Sequence, residues 1–182
     1  SEMCIRDRSG APLTLDGARA GQKLVAHGKI GYSGAGLALL QRFGRALPPE
    51  LEELWPLIDA HCAPTLSPGR GVIARATGST AMTDNSDGLV RDVGHLAQRS
   101  GVRIDLDRAA IAPDPLLAAA GAVLDIDPWE WVLTGGEDHT LLATTYKAAP
   151  SGFREVGRVM RGTGVTISGE EPRYREGWEG FA

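Results

Sequence analysis

The sequence predicts an α/β (α+β) domain in which a mixed β-sheet is covered by helices. Two patterns carry this. Short apolar runs bounded by glycine or proline alternate with segments whose apolar residues recur at helical spacing. The 182 residues also suffice for one substantial core, and nothing between them marks a second domain.

In chain order, Lys23 to Ala26 follows the turn at Gly21 and reads as a strand. Gly28 to Gly36 then supplies small residues for a tight turn into a helix, with Ser33 as its N-cap and Leu37, Leu40 and Phe43 along it. Pro48–Pro49 opens an acidic helical segment, Glu50 to Ile58, interrupted by Pro56. Pro64 to Gly71 reads as a loop carrying Arg70, and Val72 to Ala76 as a helical turn. Thr80 to Thr83 reads as a strand end, followed by the polar turn Asp84–Asn85–Ser86–Asp87–Gly88. Leu89, Val90, Val93, Leu96 and Ala97 then mark a helix that Gly101 closes. Val102 to Leu106 is a strand, and Pro113 or Asp114 starts a helix ending near Gly121. Asp127–Pro128 is a cap followed by proline, so Trp129 to Leu133 is helical, with Gly135–Gly136 as its end. Strands follow at Leu141 to Thr145, Phe153 to Val159 and Gly164 to Ile167.

Composition excludes several classes. The formal net charge of −4 leaves no broad basic surface, so no nucleic-acid partner is expected. No apolar run is long enough to span a bilayer and nothing reads as a cleavable signal, so no membrane partner is expected either. Cys4 and Cys62 show no zinc or CxxC spacing, which fits a reduced, cytoplasmic setting. The first eight residues, Ser1 to Arg8, share no cap or period with the rest of the chain. They read as a non-native, adapter-derived segment ahead of a domain at 9–182.

Three constellations could carry chemistry. Asp84–Asn85–Ser86–Asp87–Gly88 projects two carboxylates and a hydroxyl from a strand-to-helix turn, oxygen ligands of the kind Mg²⁺ takes together with substrate phosphates. Taken alone, an ordinary cap accounts for it better, with Ser86 capping and Asp87 complementing the macrodipole. Thr134–Gly135–Gly136–Glu137–Asp138 places two acids on a bend that could meet a cationic ring, a hydroxyl or a metal. A glycine helix end with solvated acids is again the simpler local account. Gly31 to Gly36 lacks both GxGxxG order and a P-loop Lys–Ser/Thr, so close helix packing is its better reading. His95 and the pair Trp129 and Trp131 read as surface or packing residues. Trp178, in a polar tail, reads equally as a stacking platform or as a docked tail.

In this order, these motifs resemble the thiamine-monophosphate kinases, within the larger family that includes aminoimidazole-ribonucleotide synthetase and selenophosphate synthetase. Arg8–Ser9–Gly10–Ala11 matches the family's RSGA-like segment, and the stretch Gly31 to Leu40 its G-x-S-A-A-G-L-A-L-L turn and helix. The stretches 81–89 and 92–97 match A-M-I-D-I-S-D-G-L and D-L-x-H-(I/L)-A, and 134–141 matches S-G-G-E-D-Y-E-L. The resemblance implies the C-terminal domain of the aminoimidazole-ribonucleotide synthetase-like fold, with ATP and Mg²⁺ as co-substrate and cofactor and thiamine monophosphate as phosphoryl acceptor. It implies Asp84 and Asp87 as metal ligands, Ser86 as an ATP contact and Arg8 as a phosphate contact. Glu137 and Trp178 would be substrate contacts, and no residue a nucleophile. It also implies a preceding N-terminal domain with further metal-binding aspartates and a homodimer interface, without which the present chain is expected not to turn over. His139–Thr140 depart from the family's Tyr–Glu, and Asn85 stands where the family has an apolar residue, its side chain expected to point away from the metal. Another synthetase of the same superfamily, from the purine or selenophosphate pathway, and a non-catalytic nucleotide-binding module are the alternatives.

Overall fold

The computed structural model describes residues 13–65 and 67–175. Six strands form one mixed sheet: β1 (Lys23–His27), β2 (Ala81–Asp84), β3 (Arg103–Leu106), β4 (Leu141–Thr145), β5 (Arg154–Met160) and β6 (Gly164–Ile167). Their order across the sheet is β2-β4-β1-β5-β3-β6. Every pairing is antiparallel except β3 with β6. Central β1 is buried on both faces. Leu24 and Ala26 enter the main core, while Val25 points to a smaller cluster with Ala74, Met82 and Phe153, as the two-residue period of a strand requires.

The main core lies between the sheet and four helices: α1 (Tyr32–Phe43), α4 (Leu89–Ser100), α6 (Pro115–Leu124) and α7 (Pro128–Thr134). The expected stripe of α4 is all buried, and one polar side chain, Asp92, is buried with it. The shorter α2 (Trp55–Cys62) packs on α1, and α3 (Arg70–Ala76) covers the other face. A four-residue helix, α5 (Arg108–Ile111), follows β3, where the sequence shows no helical period. Asp107 caps it by accepting from the N–H groups of Ala109 and Ala110. Tyr32 donates its hydroxyl to the carboxylate of Asp114, the N-cap of α6, and so ties α1 to α6.

Two local expectations are corrected. The acidic segment is not one interrupted helix: Pro49–Leu54 is a 3₁₀ turn, and α2 starts at Trp55 with Pro56 in its first turn, where a missing N–H costs little. Ser33 is not the N-cap of α1. Gly31 holds that position at φ 90°, and Ser33 is already inside the first turn and buried. Among the described residues no helix is long and apolar enough to cross a membrane. Arg8 and Trp178, and with them the segment 1–8, lie outside the described residues.

Candidate functional site

The acidic turn and the Gly-Gly-Glu-Asp bend meet at one end of the sheet. β2 ends at Asp84, which faces Leu141, the first residue of β4, in antiparallel register. The ladder runs on past the strands. The Asn85 N–H donates to the Thr140 carbonyl at 2.8 Å, and the Glu137 N–H to the Ser86 carbonyl at 2.8 Å. Four of the six expected site residues, Asp84, Ser86, Asp87 and Glu137, are thereby brought together. Asp84 and Ser86 are half-buried, whereas Asp87 and Glu137 are exposed.

The turn is shaped from within. The Ser86 hydroxyl donates to Asp84 Oδ1 at 3.3 Å. Gly88, not Ser86, is the N-cap of α4, and it makes no side-chain cap bond. Its φ is 115°, which favours glycine, and a Cβ at this position would crowd the junction with α7, lying 3.0 Å from the Thr134 carbonyl oxygen. Asp92 reaches back from α4 and accepts the Asp87 N–H at 2.9 Å. It therefore does the locking work expected of Ser86. The signal for it was an acid placed among Leu89, Val93 and Leu96 on an otherwise apolar stripe, since a buried carboxylate needs a partner.

That carboxylate sits uneasily. Burial first, then the neighbouring charges of Asp87 and Asp84, push Asp92 from 3.8 up to about 6. Between about pH 4 and 6 the folded chain thus holds a proton that the unfolded chain has released, so this contribution to stability is greatest below about pH 4 and is lost as pH rises through 6. Asp92→Asn keeps an acceptor for the Asp87 N–H and removes the charge. Without metal, it is expected to gain about 2 kcal/mol at pH 7 and little at pH 4. Thermal melts of both proteins from pH 4 to 8 check this, and a difference that does not vary with pH would disprove the cause.

Asp138 points the other way from its neighbours. It accepts the N–H of Gly31 at 2.7 Å and of Ser33 at 3.0 Å, the free donors that open α1. Burial pushes its carboxyl up to about 7, with those two N–H groups pulling it back down. The fully buried Asn85 amide donates to Asp138 at 3.4 Å, and its Oδ1 has no partner among the described residues. Glu137 and His139, on either side, have φ of 60° and 55°. That left-handed conformation costs a non-glycine residue about 1 kcal/mol or more, and such strain gathers at functional sites. Nothing in the local sequence announced that Asp138 serves a helix 107 positions away.

The same bend borders a cavity of about 740 Å³, with Lys29, Asp59, Arg70, Asp138 and His139 among its walls. Thr140, where the resembled pattern has Glu, is fully buried and donates to the Lys29 carbonyl at 2.5 Å.

The donors of the turn are all hard oxygens, which is the chemistry Mg²⁺ accepts. Among the described residues no three His, Cys, Asp or Glu side chains form a ready metal cage. Two carboxylates on one turn suit an ion that takes its remaining ligands from substrate phosphates and water.

A curled mixed sheet backed by helices, with an acidic strand-to-helix turn laced to a Gly-Gly-Glu-Asp bend, defines a domain of the aminoimidazole-ribonucleotide synthetase-like fold. No family model matches the sequence. The chain is 59% identical over 172 residues to the thiamine-monophosphate kinase of Corynebacterium glutamicum, covering 93% of this chain and 51% of that one. It is 43% identical over 184 residues to the enzyme of the same name from Mycobacterium tuberculosis, covering 100% and 53%. The crystal structure of thiamine monophosphate kinase from Aquifex aeolicus superposes with a TM-score of 0.76 at 34% identity, covering 88% of this chain and 54% of that one. Over most of its length the chain is homologous to thiamine-monophosphate kinases, and it spans about half the length of the curated relatives it matches.

Proposed function

We propose that this chain is the C-terminal, substrate-binding half of an enzyme that transfers the γ-phosphoryl group of ATP to thiamine monophosphate, giving thiamine diphosphate and ADP. The observation that carries the reading is the pair of hydrogen bonds lacing the acidic turn to the Glu137 bend. A relative's structure, AaThiL complexed with AMPPCP and TMP, which matches this chain with a TM-score of 0.74 at 33% identity, supports the same pair of substrates.

The chemistry asks little covalent work of the protein. The acceptor is already an anionic phosphate oxygen, so no serine, cysteine or base has to be activated. That oxygen forms the new bond to the γ-phosphorus as the bond to the ADP oxygen breaks. The difficulty is repulsion between two phosphorylated anions. Mg²⁺ held by Asp84 and Asp87 would screen it. On this reading Ser86 would hydrogen-bond the nucleotide, and Glu137 would meet the positively charged thiamine moiety. Further acids and a homodimer interface belong, on this reading, to an N-terminal domain of the whole enzyme, which works in the cytoplasm with its cysteines reduced.

The test is substrate choice by the full-length enzyme. Thiamine monophosphate with ATP should raise its melting temperature and yield thiamine diphosphate. Protection by aminoimidazole precursors or selenide instead would reassign it within the superfamily.

A further inference from the structure

The bend 137–140 is fastened at more points than a surface loop needs. Its backbone is stitched to the acidic turn at Ser86 and Asn85, and Thr140 is tied to the Lys29 carbonyl. Within it, Glu137 and His139 are left-handed, and Glu137 is exposed, while Asp138 between them turns inward. Its Oδ1 accepts the Ser33 N–H, and its Oδ2 accepts the Gly31 N–H together with the Asn85 side-chain amide.

A helix start is ordinarily capped by its own N-cap side chain, which needs no distant segment. Here the N-cap is Gly31, which has no side chain, and the cap comes from the bend instead. A local cap would stabilise α1 equally well but would leave the bend free. The arrangement seen makes the rigid helix the anchor for the bend, and the backbone on which Glu137 rides cannot relax its positive φ without breaking those bonds.

We propose that Asp138 is a positioning residue, whose grip on the start of α1 holds the Glu137 backbone in its left-handed conformation and so presents the Glu137 side chain beside the Asp84–Asp87 turn. This rests on the proposed function for the role of Glu137 as acceptor contact. The anchoring itself does not depend on it. Asp138 touches no reacting atom on this account and acts through Glu137.

The experiment uses the full-length enzyme with Asp138→Asn and Asp138→Ala. Asparagine keeps one acceptor and alanine none, so effects should be graded. Without ligands, amide hydrogen exchange at Glu137 should quicken at least tenfold in the alanine variant and less in the asparagine variant, with β1 and β4 unchanged. In turnover, the acceptor KM should rise about tenfold in D138A, with kcat and the ATP KM far less affected, and the asparagine variant should recover part of the loss. Combined with Glu137→Gln, D138A should add nothing further to the acceptor KM. Unchanged exchange at Glu137, equal rises in both KM values, or an additive double variant would each overturn the proposal. If D138A does not fold, the asparagine variant and its double variant carry the same outcomes. Faster exchange in an enzyme that ignores thiamine monophosphate would refute the functional reading while leaving the anchor standing.

Discussion

Changing Asp84 and Asp87 together to asparagine is expected to lower turnover of the full-length enzyme by about a thousandfold or more while leaving the fold intact. If the two carboxylates hold the ion that screens the phosphates, losing them removes several kcal/mol of stabilisation, and each 1.4 kcal/mol is about tenfold in rate. Stability should move the other way. Both charges bear on Asp92, whose carboxyl they help to push upward. Without metal, neutralising them relieves that repulsion, so the melting temperature should hold or rise slightly. Steady-state kinetics over a range of Mg²⁺ concentrations, with melts of the metal-free protein, check both halves. A double variant that melts early would mean that these acids hold the turn together, and one that keeps its turnover would make this domain a binding module.

Two helix glycines should respond to alanine with opposite signs. A Cβ on Gly36 would lie 2.0 Å from the Leu57 carbonyl oxygen and 2.7 Å from its carbon, backbone atoms of α2 that no rotamer change can move aside. Gly36→Ala must push α2 away from α1 and is expected to cost about 3 kcal/mol or more. The push should reach the site, because the Ser33 hydroxyl meets His61 Nδ1 of α2 at 2.9 Å across the same interface. At Gly94 in α4, the nearest atom to a Cβ is a Val165 methyl at 3.8 Å, an ordinary contact. Gly94→Ala should therefore stabilise by about 0.5–1 kcal/mol through reduced backbone freedom in the unfolded chain. Chemical denaturation of the two variants beside the parent settles the pair. Equal signs would mean that the α1–α2 contact is looser than described.

The elements are legible where periodicity is strong and the residues that start and stop them are local. The α4 stripe and Gly101 define that helix within one stretch of chain, and Asp127–Pro128 caps α7 by its own side chain. The same local logic misplaces the start of α1. Ser33 looks like a cap by composition, but its N–H is bound by Asp138 and its side chain is buried against His61. The helix α5 leaves no such trace, because four residues are too few to show a period.

For the site, the sequence alone carried the residue types and their order: a turn with two carboxylates and a hydroxyl, and a glycine-flanked pair of acids downstream. Those types limit the chemistry because only hard oxygens are on offer and no nucleophile stands with them. Which acids face outward and which brace the structure was decided only by the tertiary fold. Asp138 is indistinguishable from Glu137 in a linear reading, and Asp92 stands out only as an acid on an apolar stripe, yet each commits its carboxylate to backbone N–H groups elsewhere. Residues far apart in the chain become partners only when the sheet brings β2 beside β4 and β4 beside β1, and no local spacing encodes that pairing.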